Sequence, residues 1–349
     1  MASFRKNLII LLVLGIIFAL AGYFRGQKSN HSVSSNNLVH FEGLTMGTTY
    51  SIKYLDDKNF NYQEQIDSLL RLFNQSLSTY IPDSEISRFN RQDTFYFESP
   101  FFLKVLEKSK NIYELSNGAF DPTVMPLVNA WGFGPDNRQF PDSAKIDSLM
   151  MVIGYDKISF DEEKVYKTQP HVQLDFSAIA KGYGTDIVAG FLQEQGISDL
   201  MVEIGGEVVA NGVNSNGELW KIGIANPIIK ESPSKLYATV KIDNKGMATS
   251  GNYYNFYEKE GKIISHTISP LTGYPVTNEL LSVTILANDC MTADALATAC
   301  LVLGLEKSIE IINNHPEIEG YLIYSNEGEL FTFVSKSLKN KNMISELIK

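Results

Sequence analysis

Ile66, Leu69, Leu70, Phe73 and Leu77 recur at the spacing of one helical face, which predicts an amphipathic helix ahead of the turn-rich stretch Ser78 to Arg88. A second helical pattern, from about Pro100 to Ser116, turns Phe102, Val105, Leu106 and Ile112 inward. It stops at Asn117-Gly118, the residue types that accept the left-handed backbone of a helix C-terminus. Strand patterns are read at Phe41 to Tyr54, Val172 to Ser177, Leu200 to Ile204, Trp220 to Ala225, Leu236 to Ile242 and Ser282 to Ala287. Gly47, inside the first of these, predicts a bulge or a close backbone approach. Gly205-Gly206 closes the third with a tight turn. Two hairpins are expected, Tyr253 to Ile268 across Glu258 to Lys262, and Tyr321 to Val334 around Asn326 to Gly328. Further helices are expected at 178–192, from Asn288 to Cys300, and at Leu305 to Asn314. Ala119 to Gly134, rich in Pro, Gly and large aromatics, fits neither period and reads as a shaped loop. The last fifteen residues are polar and are expected to be loosely held.

Strands and helices mixed without β-α-β alternation point to an α+β fold with mixed or antiparallel sheets and packed helices. At 349 residues, 44% of them hydrophobic, the chain can bury a sizeable core. The N-terminal pattern differs from the rest. Arg5 and Lys6 precede an uncharged run from Leu8 to Phe24, the layout of an export signal or an uncleaved anchor. Charges ahead of the run predict that the chain beyond it lies outside the cytoplasmic membrane. A retained anchor is favoured, and Tyr23 stands where a lipid-bearing Cys would be needed, so lipidation there is excluded. The expected organisation is therefore an anchor over 1–26, a Ser/Asn-rich tether over 27–37, and one folded unit over 38–349.

A formal charge of -10 argues against a nucleic-acid surface, which needs a basic stripe. An acidic protein that handles phosphates is expected to do so through a metal ion or helix N-termini. The two cysteines, Cys290 and Cys300, are poorly placed for a bridge if a helix joins them, and read as small buried residues. Zinc spacing, Walker-type loops, G-x-G-x-x-G and the G-x-S-x-G elbow are all missing.

Three stretches carry candidate chemistry. Asp294 and Thr298, four residues apart, project from one helical face and offer two hard oxygens to a cation such as Mg²⁺. The bland alternative is a first-turn acid complementing the helix dipole and a Thr bonding back to its own helix. Asp175 to Lys181 spans a strand-to-helix junction whose free N–H groups suit a phosphate. Lys181 falls in the first turn, where the dipole disfavours a cation, so it is either solvent-facing or held for a purpose. His266 is delivered by a strand into the turn-dense loop Ser269 to Pro275. A lone His is more often structural than catalytic.

In order along the chain, Met46-Gly-Thr-Thr-Tyr50, Ser78-Thr-Tyr80, Asn117-Gly-Ala-Phe-Asp-Pro122 and Asp175-Phe-Ser-Ala-Ile-Ala-Lys-Gly-Tyr183 are followed by Glu203-Ile-Gly-Gly206, Thr249-Ser-Gly251, His266 to Val276 and Ala293 to Thr298. This set resembles the ApbE family of FAD:protein FMN transferases and covers nearly everything after the tether. The resemblance implies a T-fold-like catalytic unit that takes FAD as substrate and uses Mg²⁺. It implies transfer of FMN, by a phosphoester bond, to a Thr of an acceptor flavoprotein, with release of AMP, on the periplasmic side of the inner membrane. By the same resemblance the metal would be held by the side chains of Asp294 and Thr298 and the backbone oxygen of Ala178. FAD would be contacted by Met46, Tyr80, Ala119, Phe120, Asp121, Asp175, Lys181 and Ile268, and His266 would take the acceptor hydroxyl's proton. Ser269, Leu271, Asn252 and Asn255 depart from the family's usual residues around the His266 loop. An FAD pyrophosphatase releasing free FMN and AMP, and a non-catalytic FAD carrier, are the alternatives.

Overall fold

Eight strands build the central sheet in the order in which the chain makes them: β1 (Leu38–Thr45), β2 (Thr48–Leu55), β3 (Leu200–Ile204), β4 (Glu207–Asn211), β5 (Lys245–Gly251), β6 (Leu280–Ala287), β7 (Glu319–Asn326) and β8 (Glu329–Val334). Every neighbouring pair is antiparallel. The α+β class read from the sequence is the one observed. The computed structural model describes residues 37–135, 140–227, 236–251, 256–259 and 262–347. The anchor over 1–26, most of the tether, and Asn252 and Asn255 lie outside them. No helix among the described residues is long and apolar enough to cross a membrane.

Both faces of the sheet are covered over its middle strands, which is why β4 reads as buried at every position, whereas alternate residues of β1 face solvent. On one face lie helices α1 (Gln63–Leu77), α2 (Phe101–Leu115), α3 (Ala180–Glu194) and α4 (Cys290–Leu303), with α5 (Leu305–Asn314) beside them. Val209, Ala248, Val283 and Ile285 point to these helices, while Val208, Ala210, Met247 and Leu286 point the other way. There they meet a three-stranded sheet in the order Ile344–Glu346, Leu236–Ile242, Trp220–Ala225. Adjacent residues of one strand thus serve two cores, as the period-2 pleat requires.

Several expectations need correction. The single strand over 41–54 is a hairpin: Met46 and Gly47 form its two-residue turn with φ of 50° and 72°. Positive φ at both central positions matches the right-handed twist of the flanking strands. Val172 to Ser177 is not a strand of any sheet. Val172, Leu174 and Phe176 do alternate into the core, but Gln173 makes only an isolated bridge to Val124. The helix after it starts at Ala180 rather than 178. The loop expected over 119–134 contains a short helix, Met125–Trp131, with Pro126 in its first turn and Gly132 as a left-handed cap. The C-terminal residues described, up to 347, are not loose. Helix Lys336–Asn340 buries Leu338 completely, and Glu346 accepts from Tyr321 Oη at 2.9 Å and Thr332 Oγ1 at 3.0 Å.

Candidate active site

Asp294 does not serve a helix end. Helix α4 opens at Cys290, so Asp294 lies in its second turn. The first-turn N–H groups are satisfied by other acids: Asp289 accepts from Thr292 N at 2.7 Å, and Asp186 of α3 accepts from Cys290 N and Met291 N, both at 2.8 Å. Burial pushes the Asp186 carboxyl up to about 7 even against those two bonds. This removes the dipole explanation for Asp294, which is a buried carboxylate on the wall of a cavity.

What holds Asp294 is a close helix crossing. A Cβ on Gly182 would lie 2.3 Å from Cys290 O and 2.7 Å from Asp294 Cβ, so only glycine lets α3 and α4 approach this far. The contact sends Gly182 N–H to Asp294 Oδ2 at 2.9 Å. In a regular helix that N–H would bond the carbonyl four residues back, at Ala178. Here Ala180 N bonds Phe176 O at 2.8 Å and Tyr183 N bonds Ile179 O at 3.1 Å, and the bond to Ala178 O between them is skipped. The Ala178 carbonyl therefore stays outside the ladder, beside the cavity. Thr298, one turn beyond Asp294, shares a hydrogen bond of 3.1 Å with Ser250 Oγ on β5.

Lys181 is half-buried on the cavity wall and paired. Its Nζ lies 2.7 Å from Glu207 Oε1 and 3.9 Å from Asp294 Oδ1. Burial opposes its charge, but Asp294 and Glu207 outweigh that and hold the ammonium well above the ordinary lysine range. Glu207 is raised by its own burial, which exceeds the attraction of Lys181. The dipole penalty on a first-turn cation is thus offset by two buried acids.

The other wall carries aromatic and polar groups. Buried Asp121 accepts at Oδ1 from Thr123 N at 2.8 Å and Thr123 Oγ1 at 2.7 Å, and burial pushes its carboxyl up to about 6. Asp175 accepts from Ser177 N at 2.8 Å, and burial raises it as well. Tyr80, 65% exposed, donates to Phe133 O at 3.2 Å across the cavity mouth. The ring of His266 meets that of Phe133 edge-on at 6.4 Å. Its loop is pinned by Ser269 N to Tyr274 O at 2.9 Å, Val276 N to Thr267 O at 2.9 Å, and Trp131 Nε1 to Gly273 O at 2.9 Å. Ser269 is buried within this loop and Leu271 is half exposed on its tip.

One cavity of about 660 Å³ is lined by Tyr80, Ala119, Phe120, Asp121, Asp175, Ala178, Lys181, His266, Ile268, Asp294 and Thr298. A lining that combines hard oxygens and an ammonium with apolar and aromatic groups suits a ligand with a phosphate part and a ring part. Met46 is not on this wall. It sits in the β1–β2 turn with its Cε against α3, 2.4 Å from where a Gly184 Cβ would be. Glu207 and Ser250 also line the cavity and were not singled out in the sequence. A signal for Glu207 existed: it is a charge directly after Gly205-Gly206 in the otherwise apolar run Glu207-Val-Val-Ala.

The sequence profile of the ApbE family matches residues 46–322. This chain belongs to the ApbE family. It is 38% identical over 309 residues to the FAD:protein FMN transferase of Vibrio cholerae, covering 86% of this chain and 92% of that one. It is 39% identical over 316 residues to the protein of the same name from Haemophilus influenzae, covering 86% and 91%. The solved flavin transferase ApbE from Vibrio cholerae superposes with a TM-score of 0.79 at 36% identity, over 87% of this chain and 98% of that one. The apo flavinyl transferase ApbE of Pseudomonas stutzeri gives 0.77 at 30% identity, over 87% and 96%.

Proposed function

We propose that this ApbE-family chain is an FAD:protein FMN transferase that works with Mg²⁺. It takes FAD, moves FMN onto a Thr hydroxyl of an acceptor flavoprotein, and releases AMP. The observation that carries the proposal is the convergence of Asp294 and Thr298, Lys181 and His266, from three separate parts of the chain, on one cavity.

The donor set fits a hard divalent cation. A carboxylate (Asp294), a hydroxyl (Thr298) and a carbonyl left out of its helical ladder (Ala178) are all oxygens, as Mg²⁺ prefers. No group of three or more His, Cys, Asp or Glu disposed around a metal is present among the described residues, so the site would rely on mixed oxygens and on substrate phosphate. A bound Mg²⁺ would neutralise charge on the diphosphate oxygens.

The chain's own groups divide the remaining work. Lys181 presents an ammonium, kept charged by Glu207 and Asp294, to the same phosphate end. Asp121, Asp175 and Tyr80 orient the ring-bearing part against Phe120 and Ile268. The acceptor Thr oxygen forms a bond to the FMN phosphorus, the bridging P–O bond to AMP breaks, and the hydroxyl proton goes to the imidazole of His266. Arg5 and Lys6 ahead of the apolar run Leu8 to Phe24 support a retained anchor, with the catalytic unit on the periplasmic side of the inner membrane.

Incubation of the full chain with FAD, Mg²⁺ and an exported acceptor domain tests the reading. Flavin fluorescence that stays with the acceptor through denaturing electrophoresis is the expected result. Free FMN plus AMP would make the protein a pyrophosphatase, and unconsumed bound FAD a carrier; either overturns the transferase. The anchor is checked by alkaline washing of membranes, which should release a chain lacking residues 1–26 and retain the full one.

A further inference from the structure

Lys181 stands between two buried carboxylates and is bonded to one of them. The separation is 2.7 Å to Glu207 Oε1 and 3.9 Å to Asp294 Oδ1. The second carboxylate oxygen of Glu207, Oε2, is buried with no hydrogen-bond partner among the described residues. A buried carboxylate with an unsatisfied oxygen is costly, so its presence calls for a reason.

The geometry supplies one. Glu207 is the first residue of β4 and follows Gly205 and Gly206, whose φ of 62° and 103° set the direction of the turn. Gly206 N donates to Glu203 Oε1 at 2.6 Å and fixes the turn from the other side. The lysine stem runs across Gly205, where a Cβ would lie 3.2 Å from Lys181 Cδ. The backbone thus places a carboxylate at the end of the lysine. Were Glu207 absent, the half-buried ammonium would have Asp294 as its remaining close counter-ion among the described residues, and pairing would draw the two together. A closed Lys181–Asp294 pair would occupy the charge that a divalent cation needs.

We propose that Glu207 is a positioning residue that holds the Lys181 ammonium off Asp294 and so keeps the Asp294 carboxylate open to a divalent cation. The inference rests on the reading that Asp294 and Thr298 hold Mg²⁺. Its test therefore reads cation binding and not transfer.

The probe is Mn²⁺ binding to the full chain, followed by loss of the free-ion paramagnetic resonance signal and competed with Mg²⁺. Glu207→Ala should weaken binding by about tenfold or more. Adding Lys181→Met to Glu207→Ala should restore it, because the competing ammonium is gone. Glu207→Gln keeps an oxygen that accepts from Lys181 and should lose less than Glu207→Ala. Should Glu207→Ala not fold, Glu207→Gln with and without Lys181→Met makes the same comparison. Unchanged affinity in Glu207→Ala overturns the proposal. A double variant as weak as the single one overturns it too, by making Glu207 itself a ligand. Equal losses in the Gln and Ala variants would make the patch's net charge the cause, and also overturn it. A wild-type chain that takes up no Mn²⁺ or Mg²⁺ removes the metal reading and this inference with it, whereas normal wild-type uptake with an inert Glu207 removes the inference alone.

Discussion

Gly182 N–H donates to Asp294 Oδ2 at 2.9 Å across the crossing of two helices that a single methyl group would push apart. One contact does two things: it orients the carboxylate and leaves the Ala178 carbonyl out of the helical ladder. Packing and chemistry are therefore the same feature at this position. Gly182→Ala should force α3 from α4 and destabilise the fold by about 1–3 kcal/mol. It should also raise the Mg²⁺ concentration needed for half-maximal transfer. Urea unfolding and a Mg²⁺ titration check both; an Ala variant with wild-type values for each would show that the crossing relaxes freely.

Asp294→Asn preserves an oxygen that can accept from Gly182 N–H while removing the charge. Such a variant should fold with wild-type stability and lose transfer by at least about 10²-fold, since a misplaced cation forfeits several kcal/mol of charge stabilisation. Asp294→Ala should lose transfer as well, with a further stability loss of about 1–3 kcal/mol from the stranded Gly182 N–H. Circular dichroism together with the fluorescent-acceptor assay separates the two effects. Undiminished turnover in the Asn variant would eliminate the metal role.

In the proposed step His266 acts on the acceptor and not on FAD. His266→Gln should therefore lower kcat for transfer by roughly 10²–10⁴-fold. FAD affinity, read by flavin fluorescence quenching, should stay the same. Parallel loss of FAD affinity would instead make the residue part of the flavin wall, alongside Phe133, whose ring it meets.

Local signals in the chain were legible wherever neighbours in sequence decide the outcome. Helix Leu305–Asn314 and the hairpin turning at Glu327-Gly328 match their predicted bounds closely, because periodicity and two positive-φ turn residues specify them. Val172 to Ser177 shows the limit of that logic. Its alternation is real and its apolar residues are buried, yet among the described residues no strand lies alongside to make a ladder. The C-terminal segment failed for the converse reason. Its polar composition hides one fully buried side chain, Leu338, and a carboxylate that bonds residues of β7 and β8.

The site divides in the same way. Asp294 and Thr298 could be paired from helical spacing alone. That Lys181 would be held by Glu207 depends on α3 and β4 meeting, which no local pattern encodes. Asp186 was missed for a similar reason: its role is to cap a helix that begins far along the chain. The bland explanation of Asp294 as a dipole-complementing acid fails because Asp186 and Asp289 already fill that role.

Asp121 offers a pH test that needs no substrate. Burial raises its carboxyl from 3.8 to about 6 in the folded protein. Between those values the folded state holds a proton that the unfolded state has released. Stability from this group is therefore fully present below about pH 4 and is lost as pH rises through 6. At roughly 1.4 kcal/mol per pH unit the loss amounts to about 3 kcal/mol. Asp121→Asn keeps an oxygen that accepts from Thr123 N and Oγ1 but cannot ionise. Urea unfolding at intervals from pH 4 to pH 8 should show the wild type losing ground to the variant up to about pH 6 and running parallel to it above. The carboxyl of Asp186, raised to about 7, contributes its own slope in both proteins and cancels in the difference. Curves that stay parallel over the whole range would mean that Asp121 is ionised in the fold at acidic pH, with water or a cation reaching it from the cavity.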